Sequence, residues 1–264
     1  AANLTLGGGR HCVNGQDQSQ DHPQATDVLK LLRERLVELP EDPHLLYSVA
    51  PLSTEIEGED GLLAVEDVVD QVVAAGEGRD LVGIHAQGGI YRGFANSLGQ
   101  RNWSATHSFN LDWSFYHQAD KAVKCGYAGV DWQADEFRTH VDRALEQLTV
   151  LEGEPKTISA GRYRVYLSPV ALADYVGVLN WGGFGLKSHR TKQSSLLRMV
   201  TDGVRLHDSV TLRDNTAEGV APNFQSEGFV KPDSVTLIDA GAHADCLVSP
   251  RSAREYGVEP NGAG

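Results

Sequence analysis

The 264-residue sequence is poor in sulfur, in positive charge and in long apolar runs. Its three cysteines, Cys12, Cys125 and Cys246, lie far apart and fit no C-x-x-C spacing. That excludes a disulfide framework and a zinc-ribbon scaffold, and it suits a reducing compartment. Lys and Arg number 23 against 36 Asp and Glu, for a formal charge of −13. Such a chain lacks the concentrated cations that grip a phosphate backbone, so nucleic acid is not an expected partner. No run of about 18 apolar residues is present to span a bilayer. The opening AANLTLGGGR also lacks the charged-then-apolar order of a secretory signal. These absences predict a soluble, cytoplasmic protein with no membrane partner.

The hydrophobic share, 41%, is enough for a core, and its spacing marks the elements. After a short alternation at NLTLGG, residues 10–24 read as a polar loop. Val28, Leu29, Leu32, Leu36 and Leu39 recur at helical spacing, and the prolines of PEDPH end that helix. A second helix, Leu63 to Ala75, aligns Val65, Val68, Val69 and Val72, and a third, Asp135 to Leu151, aligns Phe137, Val141, Ala144, Leu145 and Leu148. Between them LVGIHAQGG, IYRGFANSLG, RNWSATHSFNLDWSFYHQ and KAVKCGYAGV are rich in β-branched and aromatic residues, with Gly-Gly and Leu-Gly-Gln as breaks. They predict an antiparallel meander. RYRVYLS alternates as a strand does, Ser168-Pro169 is a helix start, and SVTLRDN and SVTLIDAG are two further strands. The fold class is α+β, antiparallel β-meander sheets with packed helices. The turn at 151–161 is the best boundary, giving an α/β part with the meander over 1–150 and a β-rich part over 151–264.

Few residues combine into recognisable chemistry. A zincin helix needs two histidines four residues apart beside a glutamate. The helix after Pro169 offers only Leu172/Val176, Ala173/Gly177 and Tyr175/Leu179 at that spacing. His107 and His117 share strand parity but lie about 33 Å apart at strand rise, with Asp112 between them. GGFGLKS lacks the glycine that precedes lysine in a phosphate loop, and a helix, not a strand, comes first. Lys187, His189 and Arg190 are left to face solvent or to meet an anion. Ser194 or Ser195 with His189 or His207 lacks a nucleophile elbow. Cys246 near His243 is a buried cysteine or a reactive thiol. The aromatics Trp103, Phe109, Trp113, Phe115, Tyr116, Tyr127 and Trp132 are a core or, at a strand edge, a peptide-capture row.

Four stretches carry a resemblance: GGIYRGFANSLGQRNWSATHSFNLDWSFYHQADKAVKCGYAGVDW, GRYRVYLSPVAL, NWGGFGLKSHRTKQSSLLRM, and VTLRDNTAEGVAPNFQSEGFVKPDSVTLIDAG. From Leu4 to Gly262 the sequence resembles the TldD/PmbA family of metalloproteases. In the family's metal-binding members, the helix after a Y-x-V-x-L-x-P strand carries H-E-x-x-x-H. Here the matching stretch is Val178 to Gly183, VLNWGG, with no histidine and no glutamate. The resemblance is therefore to the metal-free branch typified by TldE/PmbA. It implies a subunit with no catalytic residue and no metal of its own, paired as a homodimer or with a TldD-like subunit that holds zinc. The pair would enclose a chamber for proteolysis of unfolded or short peptides. Asn180, Trp181, Gly182, Gly183, Lys187, His189 and Arg190 are the candidate substrate-binding residues. Family members also carry segments matching positions before Ala1 and after Gly264, so some strands are expected to lack neighbours. Two alternatives stand beside this one. The first is an independent metal-dependent hydrolase using His107, His117, Asp112 or His189. The second is a non-catalytic peptide-binding or assembly module that works by strand addition.

Overall fold

The computed structural model describes residues 18–118 and 121–262. The NLTLGG alternation and Cys12 lie outside them. In chain order the elements are α1 (Gln18–Leu36), β1 (Glu55–Glu57), α2 (Val65–Gly76), β2 (Asp80–Ala95), β3 (Arg101–Gln118), β4 (Lys121–Gly129) and α3 (Ala134–Glu152). There follow α4 (Pro169–Leu179), α5 (Leu186–Arg190), α6 (Leu197–Asp202), β5 (Leu212–Asn215), β6 (Ser234–Asp239), β7 (Ala242–His243) and α7 (Pro250–Tyr256). The mixed α+β class with antiparallel sheets is the one expected.

The meander forms around β3. On one side β3 pairs with β2 along its length, from Asp80↔Tyr116 to Ala95↔Arg101. On the other it pairs with β4 at Phe109 to Gln118 and, in parallel, with β1 at Trp103 to Ala105. Side chains alternate across a strand, so the odd residues Phe109, Leu111, Trp113 and Phe115 share one face. There they pack with Val68 of α2, Phe137, Val141 and Ala144 of α3, and Val123, Tyr127 and Trp132. Phe109, Tyr127, Trp132 and Phe137 meet at ring separations of 5.0–6.4 Å, within the range of favourable aromatic contact.

The second sheet runs β5-β6-β7 and is antiparallel. Val235, Leu237 and Ile238 of β6 bury against Phe184, Leu196 and Met199. A smaller cluster, Leu186, Val248 and Ala253, seats α7.

Four expectations change. Gly88-Gly89 is no break: β2 runs straight through it, because both residues pair with β3, Gly88↔Ser108 and Gly89↔His107. RYRVYLS is not a strand, since residues 162–168 have no ladder partner among the described residues. Residues 18–24, read as loop, belong to α1. The apolar stripe of α1 builds no core: Val28, Leu29, Leu32 and Leu36 are all exposed.

Candidate functional site

The candidate site is the turn from α4 into α5. Ser168 starts α4 as read from sequence: its Oγ accepts from the Ala171 amide at 3.3 Å, and Pro169 takes the first helical position. The helix buries none of its residues outright, and only Val176 and Leu179 are half-buried. The exposed row Tyr163, Val165, Tyr166, Leu167, Val170, Leu172, Tyr175, Val178 and Trp181 spans the preceding segment and the helix, and Tyr166 and Trp181 are each 87% exposed.

The helix ends where Gly182 turns left-handed, at φ +74. Gly183 is buried, and a Cβ on it would lie 2.0 Å from the Leu179 carbonyl oxygen. Its own carbonyl accepts two side chains, His189 Nε2 at 2.7 Å and Ser194 Oγ at 2.7 Å. Phe184 and Leu186 then clamp α5 to the strand-like Leu247 through reciprocal backbone hydrogen bonds of 2.8 Å.

The seven candidate residues separate into two groups. Asn180, Trp181 and Gly182 are exposed at the end of α4, and Lys187 and Arg190 are exposed on α5. Gly183 and His189 face inward. The basic cluster is therefore not one patch. Lys187 Nζ lies 3.4 Å from Glu255 Oε2, and His189 spends its Nε2 proton on Gly183, so neither is free to meet an anion with Arg190.

The other sequence candidates do not assemble. His107 is in contact with the Tyr91 hydroxyl at 3.3 Å, His117 is at the exposed end of β3, and Asp112 accepts from Asn110 on the opposite face. Ser194 donates to a carbonyl while its oxygen caps the Leu196 amide at 3.0 Å, which is a structural role. His207 engages Ser209. Burial and then the Asp245 carboxylate push the Cys246 thiol above its ordinary value, against a weaker opposing effect of Arg190. That disfavours the thiolate a reactive cysteine needs. Of the aromatic row, Phe109, Trp113, Phe115, Tyr127 and Trp132 are core, while Trp103 and Tyr116 are partly exposed.

Sequence reasoning missed one pair. His189 and His243 meet edge to face at 5.3 Å. Burial first, then the neighbouring His189, lower the pKa of His243, with Asp245 opposing. Its Nε2 is buried with no hydrogen-bond partner among the described residues. The two histidines stand 54 positions apart by number, and no local pattern announces the contact.

Val178, Leu179, Asn180, Trp181, Gly182 and Gly183 do not fit a zinc ion, which takes imidazole, thiolate or carboxylate donors. Among the described residues no group of three or more His, Cys, Asp and Glu is placed to share a metal.

These features define an α+β chain with antiparallel sheets and packed helices. Residues 160–264 match the family described as PmbA/TldA metallopeptidase C-terminal domain. Three solved structures share the fold. TldE from Thermococcus kodakarensis aligns with a TM-score of 0.64 at 15% identity, over 91% of this chain and 58% of its own. A protein described as a candidate modulator of DNA gyrase from Thermotoga maritima aligns at 0.67 and 20%, over 89% and 58%. Another so described, from Bacteroides thetaiotaomicron, aligns at 0.66 and 16%, over 91% and 59%. The chain thus spans less than two thirds of the length of these relatives. No curated protein matches it by sequence.

Proposed function

We propose that this chain is the metal-free partner subunit of a TldD/PmbA-type peptidase and acts with a metal-bearing subunit in proteolysis of unfolded or short peptides. The observation that carries the reading is the composition of Val178–Gly183: aliphatic carbon, indole, carboxamide and backbone stand where metal-binding relatives supply lone pairs. The exposed apolar side chains concentrated between Tyr163 and Trp181 support it, since exposed apolar groups of this number are available to contact protein or peptide. In this reading Asn180, Trp181 and Gly182 line the peptide chamber, and Lys187 and Arg190 flank it. Gly183 and His189 hold the turn in place from behind.

The test mixes the chain with a metal-bearing homologue from the same cell and follows association and cleavage of a fluorogenic peptide. Stimulated cleavage is expected, and Trp181→Ala should weaken it about tenfold while leaving the melting temperature unchanged. Failure to associate, with no change in cleavage, rejects the partner role.

A further inference from the structure

Two imidazoles meet behind the turn that ends α4. His189 of α5 bonds through Nε2 to the Gly183 carbonyl at 2.7 Å, and its ring lies edge to face with that of His243 of β7, the centroids 5.3 Å apart. One ring pins the turn and the other braces the pin. His189 is buried and has its partner. His243 differs: its Nε2 is sealed from solvent and bonds to nothing among the described residues. A polar atom taken from water without a partner destabilises a fold. A phenylalanine would fill much the same space without that penalty, so what the imidazole adds at this position is a place for a proton.

The charges around the pair do little to welcome that proton. α5 contributes Lys187, held by Glu255 of α7, and the exposed Arg190. α6 contributes Arg198 and Asp202, and β6 contributes Asp239 opposite Ala242; all three are exposed. In the loop bonded to Gly241, Arg205 pairs with Asp208 and His207 with Ser209. Asp245 follows β7 and is exposed. Burial first, and then His189, hold His243 below its ordinary value, with Asp245 opposing them. A proton on each ring sets like charges edge to face, and two sites this close titrate as a pair.

The backbone fixes His243, because β7 pairs with β6 at Ile238↔His243 and Asp239↔Ala242. His189 leaves more easily, by rotating its own side chain, and its departure leaves the Gly183 carbonyl to Ser194. We infer that the His189–His243 pair is a proton-sensitive latch on the turn between α4 and α5: neutral, it holds the Gly183 carbonyl; charged, the rings part, His189 lets go and the turn bearing Asn180, Trp181 and Gly182 is freed. The latch is a property of the fold, and its bearing on peptide handling rests on the partner-subunit reading.

Imidazole NMR of the whole chain, labelled at histidine, reads the latch as pH falls from about 8 to about 5. The two rings are expected to titrate together, and His189→Gln should let His243 take its proton at higher pH. Over the same range hydrogen exchange at residues 179–190, corrected for the intrinsic rate, should rise about tenfold, while the Phe109–Phe115 core stays protected. His243→Phe keeps a ring but no proton site and should hold that exchange flat; if it fails to fold, His243→Asn carries the same expectation. Rings that titrate independently, exchange that rises equally in wild type and variant, or a rise seen only with loss of the whole fold overturns the inference. A turn that opens with acid in a chain that stimulates no cleavage with a metal-bearing homologue at any pH rejects the proposed function and leaves the latch standing.

Discussion

Gly183 carries a constraint that no other residue type satisfies. Its Cα hydrogen faces the Leu179 carbonyl where any side chain would overlap it, and its own carbonyl anchors His189 and Ser194. Gly183→Ala must push α4 away from α5 or distort the turn, an overpacking cost of about 3 kcal/mol. A urea unfolding midpoint equal to that of the wild type would contradict the contact. His243 makes a prediction with a sign. Buried and next to His189, it holds a proton less firmly than an unfolded histidine at 6.5. The unfolded chain therefore binds more protons near and below that value, so the stabilising contribution is complete above it and is lost as pH falls. His85, also lowered by burial, acts in the same direction. The urea midpoint should drop from about pH 8 to about pH 5, and His243→Asn should flatten part of that slope. Parallel pH profiles for the two proteins would show that His243 contributes nothing.

The elements differ in how much they depend on distant partners, and that decided what could be read from the sequence. In α3, Val141 is buried and Leu145 packs against the same cluster. Either one changed to aspartate would set an unpaired charge in the aromatic core and should abolish cooperative unfolding in thermal melts. Lys187→Ala, by contrast, removes only one end of a largely exposed ion pair with Glu255. It should cost less than about 1 kcal/mol, and a chain that fails to fold would mean that α5 depends on the pair. α2, α3 and the Ser168 cap were legible because helical spacing and capping are local. β3 and β4 were legible because their alternation runs unbroken beneath the helices. RYRVYLS alternates equally well, yet a strand exists only where a neighbour accepts its backbone. The Gly-Gly of β2 went the other way, because β3 pairs straight through it and tertiary pairing overrides a local break signal. At the candidate site, the missing metal donors were plain from residue types alone. The inward turn of His189 was not, since it depends on the buried Gly183 carbonyl and on His243 arriving from a distant part of the chain.

A buried amide side chain ties the turn between β2 and β3 to the loops near residues 50 and 228. Gln100, in the turn between β2 and β3, is fully buried. Its Nε2 donates to the carbonyl of Ala50 at 2.7 Å and to that of Gly228 at 2.8 Å, and its Oε1 accepts from Asn96 Nδ2 at 2.6 Å. Nearby, Thr54 Oγ1 bridges Asn102 and Asn223, and the Ser48 amide reaches the Glu227 carbonyl. Segments near residues 50, 100 and 225 are thereby fixed together, and Gly228 at φ +82 is the only kind of residue that lets the backbone come so close, since a Cβ would stand 2.3 Å from Gln100 Oε1. Gln100→Ala leaves two carbonyls and one amide to find water in a buried place, a loss of about 3 kcal/mol. Gln100→Glu should be worse, because a carboxylate has no donor for either carbonyl and its charge is buried. Hydrogen exchange gives the decisive reading. Protection should fall together at the Arg101 end of β3 and around residues 225–231, while the Phe109–Phe115 core of β3 keeps its protection. If only one of the two regions loosened, Gln100 would be a local turn residue rather than the tie between this turn and the loop around residue 228.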